Sequence, residues 1–273
     1  MSNLTKLFLS GNGRSTLTPR QFQGLLNLHM LDLSDNYIKT LPRKFLYGLT
    51  KLQGAIGLYH LDLSRNGLVA VPTSVLQDTL NLTSLYLQRN TISSISDKIF
   101  SEIPALKHLD LSHNALISMS NGSLRGLSQL GALDLRFNQL GTLTSHLFQD
   151  LVKLENLNFS NIFLHSHTFM KLSKLKHLDL SNNDLVKIPK HLFKRTRHLR
   201  DLNLENNHIR YIPKLSFKHL VRLQTLKLNN NHLARPFIHL HSLIWVFLRL
   251  LYRYLNKDVR PDANCGCFSA KLG

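Results

Sequence analysis

The string HLDLS occurs three times in this chain, setting His60, His108 and His177 beside Asp62, Asp110 and Asp179. An imidazole next to a carboxylate is the pairing that acid–base catalysis and metal binding both use, and the chain holds fifteen histidines from which to build it. The spacing argues against chemistry all the same. Each pair sits in the same repeated LxL wording, where outward-facing His and Asp are ordinarily solvated. His165 with His167, and His239 with His241, lack further ligands at zinc spacing. No Gly-rich phosphate loop, nucleophile elbow or Ser/His/Asp arrangement stands out. The expectation is therefore no catalytic residue, no metal, no cofactor and no enzyme, so that function must come from a surface.

The elements that would build that surface are read from one unit. The stretch LKHLDLSHNALISMSNGSLRGLSQL, Leu106 to Leu130, follows the pattern LxxLxLxxNxLxxMxxxxLxxLxxL, which returns along nearly the whole chain. Its leucines Leu106, Leu109, Leu111 and Leu116 need apolar neighbours that only the next copy can supply, so the copies must stack into a solenoid. In register, the turn position holds Asn12, Asn36, Asn66, Asn90, Asn114, Asn138, then Ile162, then Asn183, Asn207 and Asn231. The LxL core reads as a short half-buried strand, and stacked copies give one parallel sheet. The asparagine turns the chain, its amide serving backbone groups of the adjacent loop. Phe22, Leu46, Leu76, Phe100, Leu124, Phe148, Phe193 and Phe217 recur on the return path and predict a second apolar spine.

The predicted class is α/β: a horseshoe of about ten repeats with a parallel β-sheet on the concave face and mostly irregular or short helical return segments. The solenoid is expected over 1–236. A degenerate last repeat or a helical cap is expected over 237–273, where Leu240, Leu243, Phe247 and Leu251 also fit a helical stripe. QGAIGL lengthens the step from Asn36 to Asn66 to 30 residues and should be a return-path loop. The step from Ile162 to Asn183 is only 21, which predicts a weak, irregular repeat without its amide. No run of about eighteen apolar residues crosses a membrane. The first residues lack a secretory signal, and Leu4 to Leu9 have no cap before them, which suggests a fragment.

The unit LRDLNLENNHIRYIPKLSFKHL, Leu199 to Leu220, resembles the typical extracellular class of leucine-rich repeats, found in Toll-like receptors, Slit, chaoptin and variable lymphocyte receptors. The resemblance spans about Leu4 to Leu233. It implies a horseshoe outside the cell or on its surface, part of a receptor, innate-immunity or adhesion protein, binding a protein or another macromolecule through its sheet. ANCGCF, Ala263 to Phe268, also resembles the opening of a cysteine-rich C-terminal flank, here with Cys265 and Cys267 but no later cysteines.

Two surfaces compete as the binding site. The outward position of LxL holds Asp32, Asp62, Asp110, Asp134 and Asp179, an acidic column in a chain of net charge +18. It either keeps the face wet or meets a basic partner. Around it, Tyr86, Arg89, His108, Asp110, His113, Asp134, Arg136 and Phe137 form the candidate protein-binding patch, with Tyr86 and Phe137 as anchors. The other surface is basic. From Asn183 to Lys257 fifteen Lys and Arg face only Asp184, Asp201 and Glu205. Lys190, Lys194, Arg195, Arg197 and Arg200 are its candidate contacts for a polyanion such as heparan sulfate, acidic lipid or nucleic acid. An intracellular scaffold is the third reading. Sequons at Asn3, Asn81, Asn121 and Asn158 favour glycosylation and an extracellular site.

Overall fold

A computed structural model describes residues 3–18, 21–43, 45–46, 57–77, 79–213 and 215–233. Ten three-residue strands, β1 (Lys6–Phe8), β2 (Met30–Asp32), β3 (His60–Asp62), β4 (Ser84–Tyr86), β5 (His108–Asp110), β6 (Ala132–Asp134), β7 (Asn156–Asn158), β8 (His177–Asp179), β9 (Asp201–Asn203) and β10 (Thr225–Lys227), form one sheet in sequence order. Every pairing between them is parallel. The central leucine of each strand registers on that of its neighbour, as Leu85 does on Leu109 and Leu109 on Leu133. Register is this strict because a slip of one residue would turn every leucine to water. Among the described residues the return segments are turns, with one helical turn at Thr73–Leu76 and one 3-10 turn at Ser145–Phe148. The insert QGAIGL falls mainly on residues outside those described, as do the proposed cap over 237–273 and its Cys265 and Cys267.

One continuous apolar core runs the length of the stack. Leucines of the sheet fill its front, and the spine fills its back with Phe22, Leu46, Leu76, Phe100, Leu124, Phe148, Phe193 and Phe217 all buried. The spine also includes Phe169, which the short repeat hid from a count of fixed offsets. Phe159 takes the second leucine position of that repeat and reaches both Phe148, at 6.0 Å between ring centroids, and Phe169, at 6.4 Å. A larger side chain thus keeps the core full where the backbone is shorter.

The turn asparagines form a ladder. Asn138 donates to Leu111 O at 2.9 Å, Leu135 O at 3.1 Å and Arg136 O at 3.4 Å, while its Oδ1 accepts from Leu116 N–H at 3.1 Å. Asn36, Asn66, Asn90, Asn114, Asn183, Asn207 and Asn231 repeat the pattern. Each ties its own turn to the previous copy, satisfying buried backbone groups.

At the short repeat Ile162 follows the left-handed Asn161 as the asparagine follows its left-handed neighbour in the other copies, and it takes on a second task. Ile162 N–H donates to Asn183 Oδ1 at 2.9 Å, the bond that Leu116 makes to Asn138. Phe137 and Asn161 share the left-handed turn position, and Thr142 pairs with Phe163. The four residues Asn138 to Gly141 therefore match the single residue Ile162. Ile162 is buried in the core and combines the asparagine's place after the left-handed residue with the work of the apolar residue two positions on, without an amide to offer. Leu140 N–H, in a fully buried residue, consequently has no acceptor among the described residues.

Candidate functional site

The residues that alternate with the buried leucines project from the concave face, so the strand register fixes their columns. Tyr86, Asp110 and Asp134 lie side by side on β4, β5 and β6, and His108 stands between Ser84 and Ala132. Adjacent strands lie about 4.8 Å apart, close enough for one ligand to touch several. A second column comes from the turns. Arg89, His113 and Phe137 each occupy the left-handed region, with φ of 57°, 53° and 55°. That conformation strains a non-glycine residue by about 1 to 2 kcal/mol, and the same slot holds asparagine in the last three repeats, at Asn182, Asn206 and Asn230. His113 stacks on Phe137 with centroids 4.1 Å apart, and Phe137 remains 45% exposed. All eight residues singled out from the sequence thus share one face.

The aspartate column has a structural task that the sequence left unassigned. Asp32, Asp62, Asp110, Asp134 and Asp179 each accept the backbone N–H two residues ahead, at 2.8 to 3.0 Å, closing the turn that leaves the strand. Asn203 does the same for Glu205. Tyr86 has no such acceptor to offer and is free of that duty. Asp134 is also engaged by the Arg136 guanidinium at 2.7 Å and by Asn158 Nδ2 at 2.9 Å, while Arg136 reaches on to Asp179 at 3.7 Å. The centre of the face is a preformed charge network flanked by Tyr86 and Phe137.

Burial is the main cause that raises the Asp110 carboxyl above its ordinary range; hydrogen bonds from Ser112 oppose this and the Asp134 charge adds to it. A raised folded-state value makes the charged form cost stability, a cost absent below the unfolded value and incurred as pH rises through the folded one. Asp110→Asn keeps an oxygen for Ser112 N–H and removes the charge. We expect it to unfold at higher urea than the parent at neutral pH, the gap closing as pH falls below the ordinary carboxylate value of 3.8. Equal midpoints at neutral pH would show that burial exacts no such cost. Burial first, then Arg89, holds His113 below the usual imidazole range, so the stacked ring is neutral at neutral pH.

Further along the concave face lies a depression of about 300 Å³, lined by Asn158, His177, Asp179, Asp201, Thr225 and Lys227 among others. His177 Nδ1 meets Asp201 Oδ2 there at 2.6 Å. This hollow was missed from the sequence, where its columns read as more Asp and Asn; their continuity over β7 to β10 was the available signal. Lys190, Lys194, Arg195, Arg197 and Arg200 are all exposed, and none forms an ion pair among the described residues. The first four belong to the return segment, whereas Arg200 immediately precedes β9. Asn3, Asn81 and Asn121 are exposed, and Asn158 is half-buried on the concave face. A glycan on Asn158 would break its bond to Asp134 and stand on the candidate patch. No group of three or more His, Cys, Asp or Glu among the described residues is placed to hold a metal ion.

A family model described as leucine rich repeat matches residues 2–54, 56–116, 162–209 and 173–233. No curated protein shows significant sequence similarity. Among solved structures, TLR13 in its complex with ssRNA13 is 28% identical with a TM-score of 0.77, covering 89% of this chain and 36% of that one. The octameric complex of Latrophilin 3, Unc5D and FLRT2, whose LRR component is FLRT2, matches at 26% identity and a TM-score of 0.70, covering 89% of this chain and 74% of that one. Drosophila Toll in its complex with Spatzle shares the fold, at 20% identity and a TM-score of 0.58, covering 83% of this chain and 36% of that one. The chain thus spans little more than a third of the length of the TLR13 and Toll chains it resembles.

Proposed function

The chain belongs to the leucine-rich repeat family, and from that premise we propose that it is a non-enzymatic recognition module, the ligand-binding part of an extracellular receptor or adhesion protein, which holds a protein partner on its concave sheet. The observation that carries this reading is the patch on β4 to β6. Two partly exposed aromatic anchors there flank a fixed Asp134–Arg136 network, and one of them sits in a strained turn that asparagine occupies elsewhere. TLR13 and FLRT2, resembling this chain at 28% and 26% identity, are each known in complex with another macromolecule, which supports binding as the purpose of the fold. The exposed sequons Asn3, Asn81 and Asn121 support the extracellular placement. No helix among the described residues is long and apolar enough to cross a membrane. The recognition unit in this reading is the solenoid of 1–236.

The test is an alanine scan against the protein partner recovered by proximity labelling on cells that display the chain. Tyr86→Ala and Phe137→Ala should each weaken binding by about 2 kcal/mol or more, and a rim change such as Arg89→Ala by less, mainly through the association rate. Should all of these leave affinity intact while neutralising Lys194, Arg195, Arg197 and Arg200 abolishes it, the concave-face reading fails.

A further inference from the structure

The basic residues of the C-terminal repeats do not form the linear run that the sequence suggests; stacking arranges them in columns. Past the short repeat the period returns to 24 residues, as the pairing of Lys187 with Tyr211 shows. Lys171, Arg195 and His219 then share one register position on the return path, and Lys174, His198 and Arg222 share another. His198 Nδ1 lies 2.9 Å from Ser173 O of the previous copy, which ties two repeats together at this strip. His219 is pushed below its usual range first by burial and then by Lys218, Arg197 and Lys194, so side chains from two consecutive repeats share one electrostatic neighbourhood. None of these basic side chains forms an ion pair among the described residues. The nearby acids are engaged elsewhere: Asp179, Asp184, Asp201 and Glu205 belong to strands and turns, Asp150 accepts from Gly126 N–H, and Glu155 pairs with Lys176 at 2.6 Å with Arg200 near it, so none forms an ion pair with a residue of these columns. Like charges held together without partners cost the fold stability, and an anion spanning them removes that cost.

The chemistry of the strip selects among anions. Neither column carries a Phe, Tyr or Trp, and Phe193 and Phe217 beneath it are buried, so unstacked bases find only the small imidazoles of His198 and His219 here. What the strip offers is guanidinium and ammonium groups repeated along the solenoid axis, with Arg able to grip an oxyanion through two donors. We propose that this strip binds a sulfated glycosaminoglycan chain laid across three successive repeats, separately from the concave face. The site requires neither the protein partner nor the aromatic anchors.

The experiment measures binding of the full chain to a heparin oligosaccharide across a salt series. The same series is run with its desulfated counterpart, with single-stranded RNA and duplex DNA of matched charge, and with phosphatidylserine vesicles. Heparin should bind about tenfold or more tightly than the other probes and weaken steeply with salt. The combination Lys194→Gln, Arg197→Gln and Arg222→Gln should flatten the slope of log affinity against log salt by roughly 2 to 3. Lys6→Gln, Lys39→Gln and Lys107→Gln together should change it little, and so should Tyr86→Ala with Phe137→Ala. Equal or tighter binding of RNA, DNA or vesicles overturns the assignment, as does a slope unmoved by the first three changes. Loss of heparin binding in the Tyr86→Ala and Phe137→Ala variant would place the site on the concave face instead.

Discussion

Asn138→Ala should destabilise the protein by about 2 to 5 kcal/mol, although it removes only an amide. Two buried backbone groups lose their only partner: Leu116 N–H, which donates to the Asn138 oxygen, and Leu135 C=O, which accepts from its nitrogen. Each orphaned buried group costs roughly 1 to 3 kcal/mol. The other two acceptors keep a bond, since Leu111 O also accepts from Asn114 and Arg136 O from His113 N–H. Asn12 provides the control. It is exposed and makes one bond, to Ser10 O at 3.2 Å, so Asn12→Ala should shift stability by less than about 0.5 kcal/mol. Urea unfolding of both variants checks the pair. A similar loss at the two positions would mean that asparagine stabilises the turn locally and that the ladder between repeats contributes nothing.

Ile162→Asn should also be strongly destabilising, by about 3 kcal/mol or more. The side chain is buried in the core, so the change removes apolar contact worth about 2 to 5 kcal/mol on truncation and buries an amide as well. The repair that the structure indicates is a lengthening. Replacing Ile162 by Asn-Gln-Leu-Gly, the four residues that the previous copy has at this point, would restore an acceptor for Leu140 N–H and should recover part of its desolvation cost of roughly 1 to 3 kcal/mol. Urea midpoints of the two variants decide the matter. A higher midpoint for the point substitution would show that the restored amide outweighs the buried apolar side chain.

The case of Ile162 shows where reading along the chain stops. Asn161, Ile162 and Phe163 can be slid by a residue or two against their neighbours without breaking any pattern in one dimension. Only the pairing of Thr142 with Phe163 and the bond from Ile162 N–H to Asn183 locate the deletion. Phe169 escaped the spine for the same reason, since its offset is counted from a repeat of the wrong length. The aspartate column is a different kind of gap. Its residue type is consistent with solvation, partner binding or capping, and the choice depends on whether an N–H two residues on turns back toward the carboxylate. The left-handed residue later in the same turn belongs to that geometry, and sequence shows it poorly where it is Arg89, His113 or Phe137.

By itself the sequence determined the solenoid, the order and register of its ten strands, and the shared face of Tyr86, Asp110, Asp134, Arg136 and Phe137. Leucines that no single copy can bury leave stacking at a constant step as the one way to keep them dry, and alternation in the strand then sorts every neighbour to one side or the other. Tertiary structure alone decided which of those outward residues are already occupied. Asp134 is held by Arg136 and Asn158, and His177 by Asp201, whereas the basic side chains of the neighbouring C-terminal return segments form no ion pair among the described residues. Apart from the local Arg136–Asp134 contact, those outcomes hang on distances between residues some 24 positions apart, where a few ångströms separate a satisfied ion pair from an open binding site, and no pattern of residue types carries that length.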